Sequence, residues 1–501
     1  MTARLNNDAL DRLPADVGRP GYDRGRAGIG IVHLGLGAFH RAHQAVYTDD
    51  VMGREGGDWA ISGVSLRHGD TRCALAPQDG LYTVAVRSGE PDRLRVIGSV
   101  REILVAPEQP EAVLARLIAP QTRIVTLTVT EKGYCHDPAT GELRLDDAGI
   151  RHDLAHPDRP HTVIGYLVAA LARRRTAGTA PFTPLTCDNL PANGRTLGRL
   201  VLAYARALDG GLADWIGQAV PFPSTMVDRI VPATTQDDRA AVDARLGLAD
   251  AWPVVTEPFT QWVIEDRFAG PRPAWELAGA ELVEDVEPYE HMKLRLLNGS
   301  HSTMAYLGYL AGYETIAETM ADPAFVTLIG RMMDREVTPT LTVPASADLG
   351  RYKAALLDRF ANPGLKHRTW QIAMDGSQKL PQRLLGTVRD RLAAGRSIAR
   401  LALAVAGWMR YVTGIDEAGR PIEVSDPLAG DLRRLADQAG RDPAALADAL
   451  LSVKAVFGSD LPQNMAFRST VTSALGTLIH QGARATVAAY AGMSSGPGCG
   501  G

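Results

Sequence analysis

Gly30–Ile31–Val32–His33–Leu34–Gly35–Leu36–Gly37–Ala38–Phe39–His40–Arg41 is the stretch on which the fold turns. A short apolar run leads into Gly-x-Gly, and a helical pattern begins near Phe39. The first glycine, Gly35, permits a tight turn, and the second, Gly37, lets backbone approach a pyrophosphate at a helix N-terminus. His40 occupies the third position of the G-x-G-x-x-G pattern, so the motif is incomplete. In a chain with 50 glycines such a pair is also what a plain strand-to-helix turn leaves. Its place near the start of an alternating β/α half favours a dinucleotide turn.

That alternation extends outward. Trp59–Ser65, Leu94–Ile97, Ile124–Val129 and Phe182–Cys187 read as further strands, and Glu111–Leu117 and Ile164–Arg175 have helical spacing. Short buried strands separated by helices are the signature of a parallel sheet built from βαβ units. After about Pro288 the pattern turns helical: His291–Leu310, Pro323–Arg335, Ala354–Phe360, Pro381–Ala393, Ser397–Val412 and Asp431–Val456. The expected architecture is α/β: a Rossmann-like, mainly parallel N-terminal domain over 1–286 and an all-helical domain over 287–492. The small-residue tail 493–501 is expected to be disordered.

A chain of 501 residues is too long for one ordinary core, which agrees with two domains. Hydrophobic residues at 45%, charged residues at 22% and a net charge of -4 give no sign of a polyanionic partner, so nucleic acid is not expected. No apolar run reaches the roughly 20 residues of a membrane span, and the N-terminus has no secretory h-region. Four scattered cysteines without a CxxC pair argue against a disulfide framework or a structural zinc site. The expectation is a cytoplasmic protein, monomeric or a small homo-oligomer.

Tyr289–Glu290–His291–Met292–Lys293–Leu294–Arg295–Leu296–Leu297–Asn298–Gly299–Ser300–His301 carries the chemistry. As one α-helix it would gather Glu290, Lys293, Asn298 and His301 within an arc of roughly 140°, interleaved with leucines. A merely solvated face would seldom carry those leucines. Oxidising an alcohol by hydride loss needs a base for the hydroxyl proton and neutral donors for the developing alkoxide. A lysine serves if burial and neighbouring cations favour its neutral form. Asn298 could then donate to the oxyanion, and His301 could orient the substrate. Zinc is the other way to activate an alcohol, but no convincing ligand pattern is present.

Two strand ends add candidates, since ligands of parallel sheets sit at carboxyl ends. Thr130 and Glu131 follow one strand, where they could meet a cofactor or balance the lysine's proton. Asn189 follows another, as a second oxyanion donor or as a helix cap before Pro191. Asp228 is a polar anchor or simply the partner of Arg229. The acidic residue for a cofactor ribose is not clean: Asp70 suits NAD, while nearby Arg67 suits an NADP phosphate.

At these residues the chain resembles the mannitol dehydrogenase family, polyol-specific long-chain dehydrogenases that need no metal. The resemblance spans about Arg19 to about Ala489, through IVHLGLGAFHRAHQAVY, TLTVTEKGYC, TCDNLPANG, FPSTMVDRIVPAT, EPFTQWVIEDRF and KLRLLNGSHS. It implies Lys293 as general base, Asn189 and Asn298 as oxyanion donors, and His301 as a substrate-positioning group. It also implies Asp228 in the substrate pocket, Glu131 and Glu290 as carboxylates passing the lysine's proton to solvent, and Gly35, Gly37, Phe39 and Arg41 at the dinucleotide turn. Within the family, AYLGYLAGYETIA, HRTWQIAMDGSQKLPQRLL, GWMRY and DLPQN are most similar to the fructuronate reductase, or D-mannonate oxidoreductase, branch. Mannitol enzymes carry an arginine where Gln371 stands here, whereas Lys379 keeps their lysine. A hexuronate needs a cation for its carboxylate; His367, Arg368, Lys379 and Arg383 could supply it, or could form an ordinary basic surface loop. The implied reaction is NAD-linked interconversion of D-mannonate and D-fructuronate. A neutral polyol such as mannitol, sorbitol or arabinitol is the alternative substrate, and a non-catalytic dinucleotide-binding redox sensor is the alternative outside enzymology.

Overall fold

The computed structural model describes residues 3–88, 91–137, 140–344 and 347–493. The tail from residue 494 onward lies outside the described residues. The chain divides into two compact units, Met1–Glu287 and Pro288–Gly501.

Strands β1 (Ile29–Leu34), β2 (Ala60–Ser65), β3 (Tyr82–Val86), β4 (Arg93–Ile97), β5 (Val100–Val105), β6 (Ile124–Leu127) and β7 (Thr183–Thr186) come first along the chain. Then follow β8 (Thr225–Asp228), β9 (Val254–Thr256), β10 (Gln261–Glu265) and β11 (Glu281–Val283). Five strands build one parallel sheet in the order β5-β2-β1-β6-β7. Counted along the chain this is 3-2-1-4-5, the doubly wound order, and strand order reverses between β1 and β6. Both faces are covered. Val32, Leu34, Val125 and Leu127 pack with Val113, Leu117, Ile164, Leu167 and Leu197 of helices on one side. Ile31, Ile61, Ile124 and Leu185 pack with Ala45, Tyr47, Trp262 and Trp275 on the other. Such two-sided burial explains why β1 reads as a continuous apolar run rather than an alternating one.

The sheet differs from the sequence expectation at its edge. Leu94–Ile97 forms a strand, but it pairs antiparallel with β3 in a separate three-stranded sheet, β4-β3-β9. The parallel edge is β5, VREILV, whose Glu102 accepts hydrogen bonds from Ser62 and Arg116. Those polar positions hide an edge strand from a hydrophobicity reading. The remaining small sheet is β11-β10-β8.

Asp188, just past β7, ties two strand ends together. Its carboxylate accepts from the Val129 and Thr130 amides, at 2.8 and 3.0 Å, and from the Tyr134 hydroxyl at 2.7 Å. Thr130 is held there at φ +63°, a left-handed conformation that a threonine adopts only under outside constraint. Burial outweighs these hydrogen bonds and pushes the Asp188 carboxyl up to about 6.

The second unit is helical, and its described residues contribute to none of the three sheets. Helix Ala399–Tyr411 runs through its core, buried on nearly every face. Its start is capped by Glu336, whose carboxylate accepts the Arg400 and Leu401 amides at 3.0 and 2.9 Å and pairs with the Arg400 guanidinium at 3.3 Å. The expected continuous helix over Asp431–Val456 is three: Ala429–Ala439, Pro443–Leu451 and Lys454–Phe457. Gly440, at φ +69°, and Pro443 break the first from the second.

His291–Leu310 is likewise not one α-helix. An α-helical turn over Glu287–Met292 passes into a π-helical turn over Lys293–Asn298, then into the α-helix Gly299–Leu310. The i→i+5 ladder makes Asn298 the partner position of Lys293, one turn along the same face. Two further π turns, Met333–Val337 and Pro381–Leu385, occur among the described residues. A Cβ on Gly299 would stand 2.9 Å from the Arg383 carbonyl of the last, so glycine lets the two turns meet.

Two predictions follow from these buried carboxylates. Glu336→Ala leaves Arg400 and two helix-start amides without their acceptor; a loss of about 3 kcal/mol in denaturant unfolding of the second unit is expected. For Asp188, the folded pKa lies above the unfolded one, so the folded state binds more protons between roughly 4 and about 6. Its stabilising contribution is full below that window and is lost as pH rises through it. Asp188→Asn removes this slope from a plot of stability against pH.

Candidate active site

In the first unit the Gly35 turn follows β1 at the point where strand order reverses. Gly35 has φ +97°, and a Cβ on it would stand 2.1 Å from the Thr128 carbonyl at the end of β6. No other residue fits both demands. The Gly35 and Leu36 amides bond to Val64 of β2, at 2.9 and 3.3 Å, which fixes the turn to its second neighbour. Gly37 and Ala38 are exposed at the start of the short helix Ala38–Ala42, and Gly37 contributes no capping side chain. A backbone turn of this kind, open at a switch point, fits a dinucleotide pyrophosphate.

Buried His33, which sequence reasoning passed over, braces the turn. Its Nε2 donates toward the Gly35 carbonyl at 3.0 Å, and its Nδ1 accepts the Thr126 hydroxyl at 2.7 Å. The Thr128 hydroxyl donates to the same Gly35 carbonyl at 2.9 Å. Burial drives the imidazole down to about 3, so it is neutral. His40 stacks on it with ring centroids 3.4 Å apart.

The expected cofactor residues separate by exposure. Half-buried Phe39 stacks on His43 at 5.1 Å, while Thr130 and Glu131 are exposed beyond β6. Arg41 is turned inward: its guanidinium bonds to the Trp252 carbonyl and lies 5.2 Å over the Tyr82 ring. Only 3% of it is exposed, so it braces the protein interior. Asp70 is exposed in the first turn of helix Asp70–Leu75, beyond the end of β2, with Arg67 exposed just before it. Asn189 is exposed after β7, next to Asp188. Asp228 is buried at the end of β8. Arg229 beside it bonds instead to the carbonyls of Glu257, at 3.0 Å, and Ala42.

In the second unit Lys293, Asn298 and His301 are all buried, with 7%, 8% and 6% exposure. Glu290 is half-buried one turn earlier. The His301 ring lies 4.7 Å from that of Phe360 and 5.4 Å, edge to face, from that of His367. Burial pushes His301 well below its ordinary value, and His367, Arg359, Arg383 and Lys293 push it further down. It is therefore a neutral imidazole in cationic surroundings. His367 is lowered to about 4 by burial and by Lys379. Lys379 donates to the carbonyls of Ile372, at 3.3 Å, and Met374. Arg383 reaches the Ser302 hydroxyl at 3.2 Å.

Sequence reasoning grouped His367, Arg368, Lys379 and Arg383. The structure brings His367, Lys379 and Arg383 into the surroundings of His301 or of each other, but leaves Arg368 exposed. Gln371 is exposed too. Arg359 was missed. It is the buried next-to-last residue of the helix Leu349–Phe360, beside Phe360, whose ring packs on His301.

Comparison with known proteins places this architecture. Residues 29–277 match the family model for the mannitol dehydrogenase Rossmann domain, and 285–479 match that for the mannitol dehydrogenase C-terminal domain. The chain is 51% identical over 480 residues to an uncharacterized oxidoreductase, YdfI, of Escherichia coli (strain K12), covering 95% of this chain and 98% of the relative. It is 50% identical over 479 residues to the D-mannonate oxidoreductase of the same organism, covering 94% of this chain and 98% of that protein. Among solved structures it is similar to Pseudomonas fluorescens mannitol 2-dehydrogenase in a ternary complex with NAD and D-mannitol. There the TM-score is 0.88 at 42% identity, covering 97% of this chain and 98% of that one. With both domain models and these near-full-length relatives in agreement, the chain belongs to the mannitol dehydrogenase family of oxidoreductases.

Proposed function

We propose that this chain interconverts D-mannonate and D-fructuronate with NAD, with Lys293 as general base and no catalytic metal. The observation that carries the chemistry is the π turn, which sets buried Lys293 and Asn298 on one face beside neutral His301. The choice of substrate rests on 50% identity to a D-mannonate oxidoreductase. Residues 1–286 would bind the cofactor, and 287–492 would supply the general base Lys293 with Asn298 and His301.

NAD, when bound, accepts or returns the hydride. The Gly35 turn, Gly37, Phe39, Thr130 and Glu131 would form its cradle, steadied from inside by His33 and Arg41. Asp70 would take the ribose hydroxyls. Lys293 Nζ takes the proton of the substrate C5 hydroxyl in oxidation and returns it in reduction. Asn298 would donate to the oxygen as its charge grows, and Glu290 would pass the lysine's proton to solvent; for Asn189 and Glu131 the family resemblance implies the same two roles. Neutral His301 orients the substrate hydroxyls, as Asp228 would from its own strand end. The carboxylate would meet Lys379 and Arg383, with His367, lowered to about 4, as a neutral neighbour and Arg368 exposed outside the cluster.

A neutral polyol is the second reading, favoured by the 42% identity to a mannitol 2-dehydrogenase solved with D-mannitol. A steady-state panel of mannonate, mannitol, sorbitol and arabinitol with NAD and NADP decides between them. Turnover on mannonate with NAD is expected to dominate; mannitol turnover with none on mannonate overturns the substrate assignment. EDTA-treated enzyme keeps its rate if the metal-free mechanism is right.

Lys293→Ala is expected to cut kcat by at least about 100-fold while cofactor binding, read by nucleotide fluorescence, stays intact. Oxidation needs neutral lysine, so its rate falls as pH drops; reduction needs protonated lysine and falls as pH rises. Because burial and its neighbours keep His301 neutral, it adds no ionisation of its own to the profile near neutral pH.

A further inference from the structure

Three histidines crowd one corner of the first unit, away from any role assigned above: His152, His156 and His161. His152 lies in the last turn of helix Ala148–Ala155, and His156 is the residue that ends it. They stand four apart, neighbours on one helix face. Their ring centroids are 5.0 Å apart. His161 returns after a short loop and stacks on His152, with centroids 3.7 Å apart and an interplanar angle of 10°.

Buried Asp153 arranges them. Its Oδ1 accepts the His152 ring Nδ1 at 3.0 Å and the His161 backbone amide at 2.8 Å. Its Oδ2 accepts the Thr162 amide at 2.8 Å and hydroxyl at 2.7 Å. One carboxylate therefore orients a histidine through its ring and fixes a second through its backbone. A carboxylate accepts only, so neutral His152 carries its proton on Nδ1 and keeps the Nε2 lone pair for another partner. A carboxylate behind an imidazole is the arrangement that orients histidine ligands in metal sites and raises their basicity.

We propose that His152, His156 and His161 bind one divalent transition-metal ion of the zinc type, oriented by Asp153. Candidate ligand atoms of His152, Asp153 and His161 already lie within 4.8 Å of one another. Zinc–nitrogen bonds of 2.0–2.1 Å at tetrahedral angles require about 3.3 Å between donors. Parallel stacked rings direct their lone pairs side by side rather than at one point, so His161 must turn toward the ion, and so must His156, which lies outside that 4.8 Å group. Both are exposed, and such rotamer changes cost little. Water completes the coordination. The site takes part in no step of the proposed reaction, and its existence does not depend on that proposal.

The test is calorimetric titration of tag-free, full-length protein with Zn2+, joined to the nitrogen hyperfine pattern of bound Cu2+. One ion per chain with a Kd in the micromolar range is expected, with imidazole nitrogens in the Cu2+ spectrum. His152→Ala, His156→Ala and His161→Ala should each weaken binding tenfold or more. Asp153→Asn, which keeps every imidazole but changes the group orienting His152, should weaken it by about tenfold. Absence of saturable binding, full affinity in the His152→Ala/His161→Ala double variant, or unchanged affinity in His156→Ala would overturn the three-histidine site. The histidines lie at the surface or half-buried, so these variants read binding even where Asp153→Asn fails to fold.

Discussion

At Gly35 the backbone of β1 passes so close to the end of β6 that a single added carbon would stand 2.1 Å from the Thr128 carbonyl. This contact sets much of the first unit's working end. It lets the chain leave β1 sharply at the one place where the doubly wound sheet opens a crevice. Around it the polar groups are accounted for: the Gly35 carbonyl takes His33 and Thr128, and the Gly35 amide takes Val64. The next strand end is pinned by Asp188 through the Val129 and Thr130 amides. Three strand ends are thus tied by hydrogen bonds around a turn that only glycine permits.

The second unit solves a different problem by a related device. An α-helix places positions five apart about 140° apart around its axis. A π turn brings them to one face, at the cost of a less favourable ladder. Lys293 and Asn298 are such a pair, and the turn that carries them packs where Gly299 meets the Arg383 carbonyl. A wide turn inserted between two α-helical segments is a common mark of a functional site.

Much of this was legible in the chain. The alternation of short strands and helices around Gly-x-Gly predicted a Rossmann-like, mainly parallel first half, and the helical pattern after Pro288 predicted an all-helical second half. Four features escaped for physical reasons. The edge strand Val100–Val105 carries Glu102 for its neighbours Ser62 and Arg116, so it lacks the apolar signature of the inner strands. The π turn is faint in a 3.6-residue periodicity, because it offsets the phase by a single residue at one point between two α-helical segments. Arg359 was hidden differently: it lies 58 positions after His301 in the chain, and only folding brings the two into electrostatic reach. Asp188 stands beside Asn189 in the sequence with no residue pattern to set it apart. A carboxylate that serves backbone amides looks no different in sequence from one that serves solvent.

The cationic surroundings of His301 bear on why such a site would suit an acid. A carboxylate bound beside a lysine favours the charged ammonium, which is no base. An enzyme that oxidises an anionic substrate with a lysine must therefore offset the substrate's charge close to where it sits. Arg359, Arg383 and Lys293 are among the groups that lower His301, so cationic side chains stand near it, whereas His367, itself lowered to about 4, is neutral. In the mannonate reading those cations meet the carboxylate, and guanidinium groups, which do not lose their protons near neutrality, bear the neutralising role. Lys293 is then left free to exchange a proton.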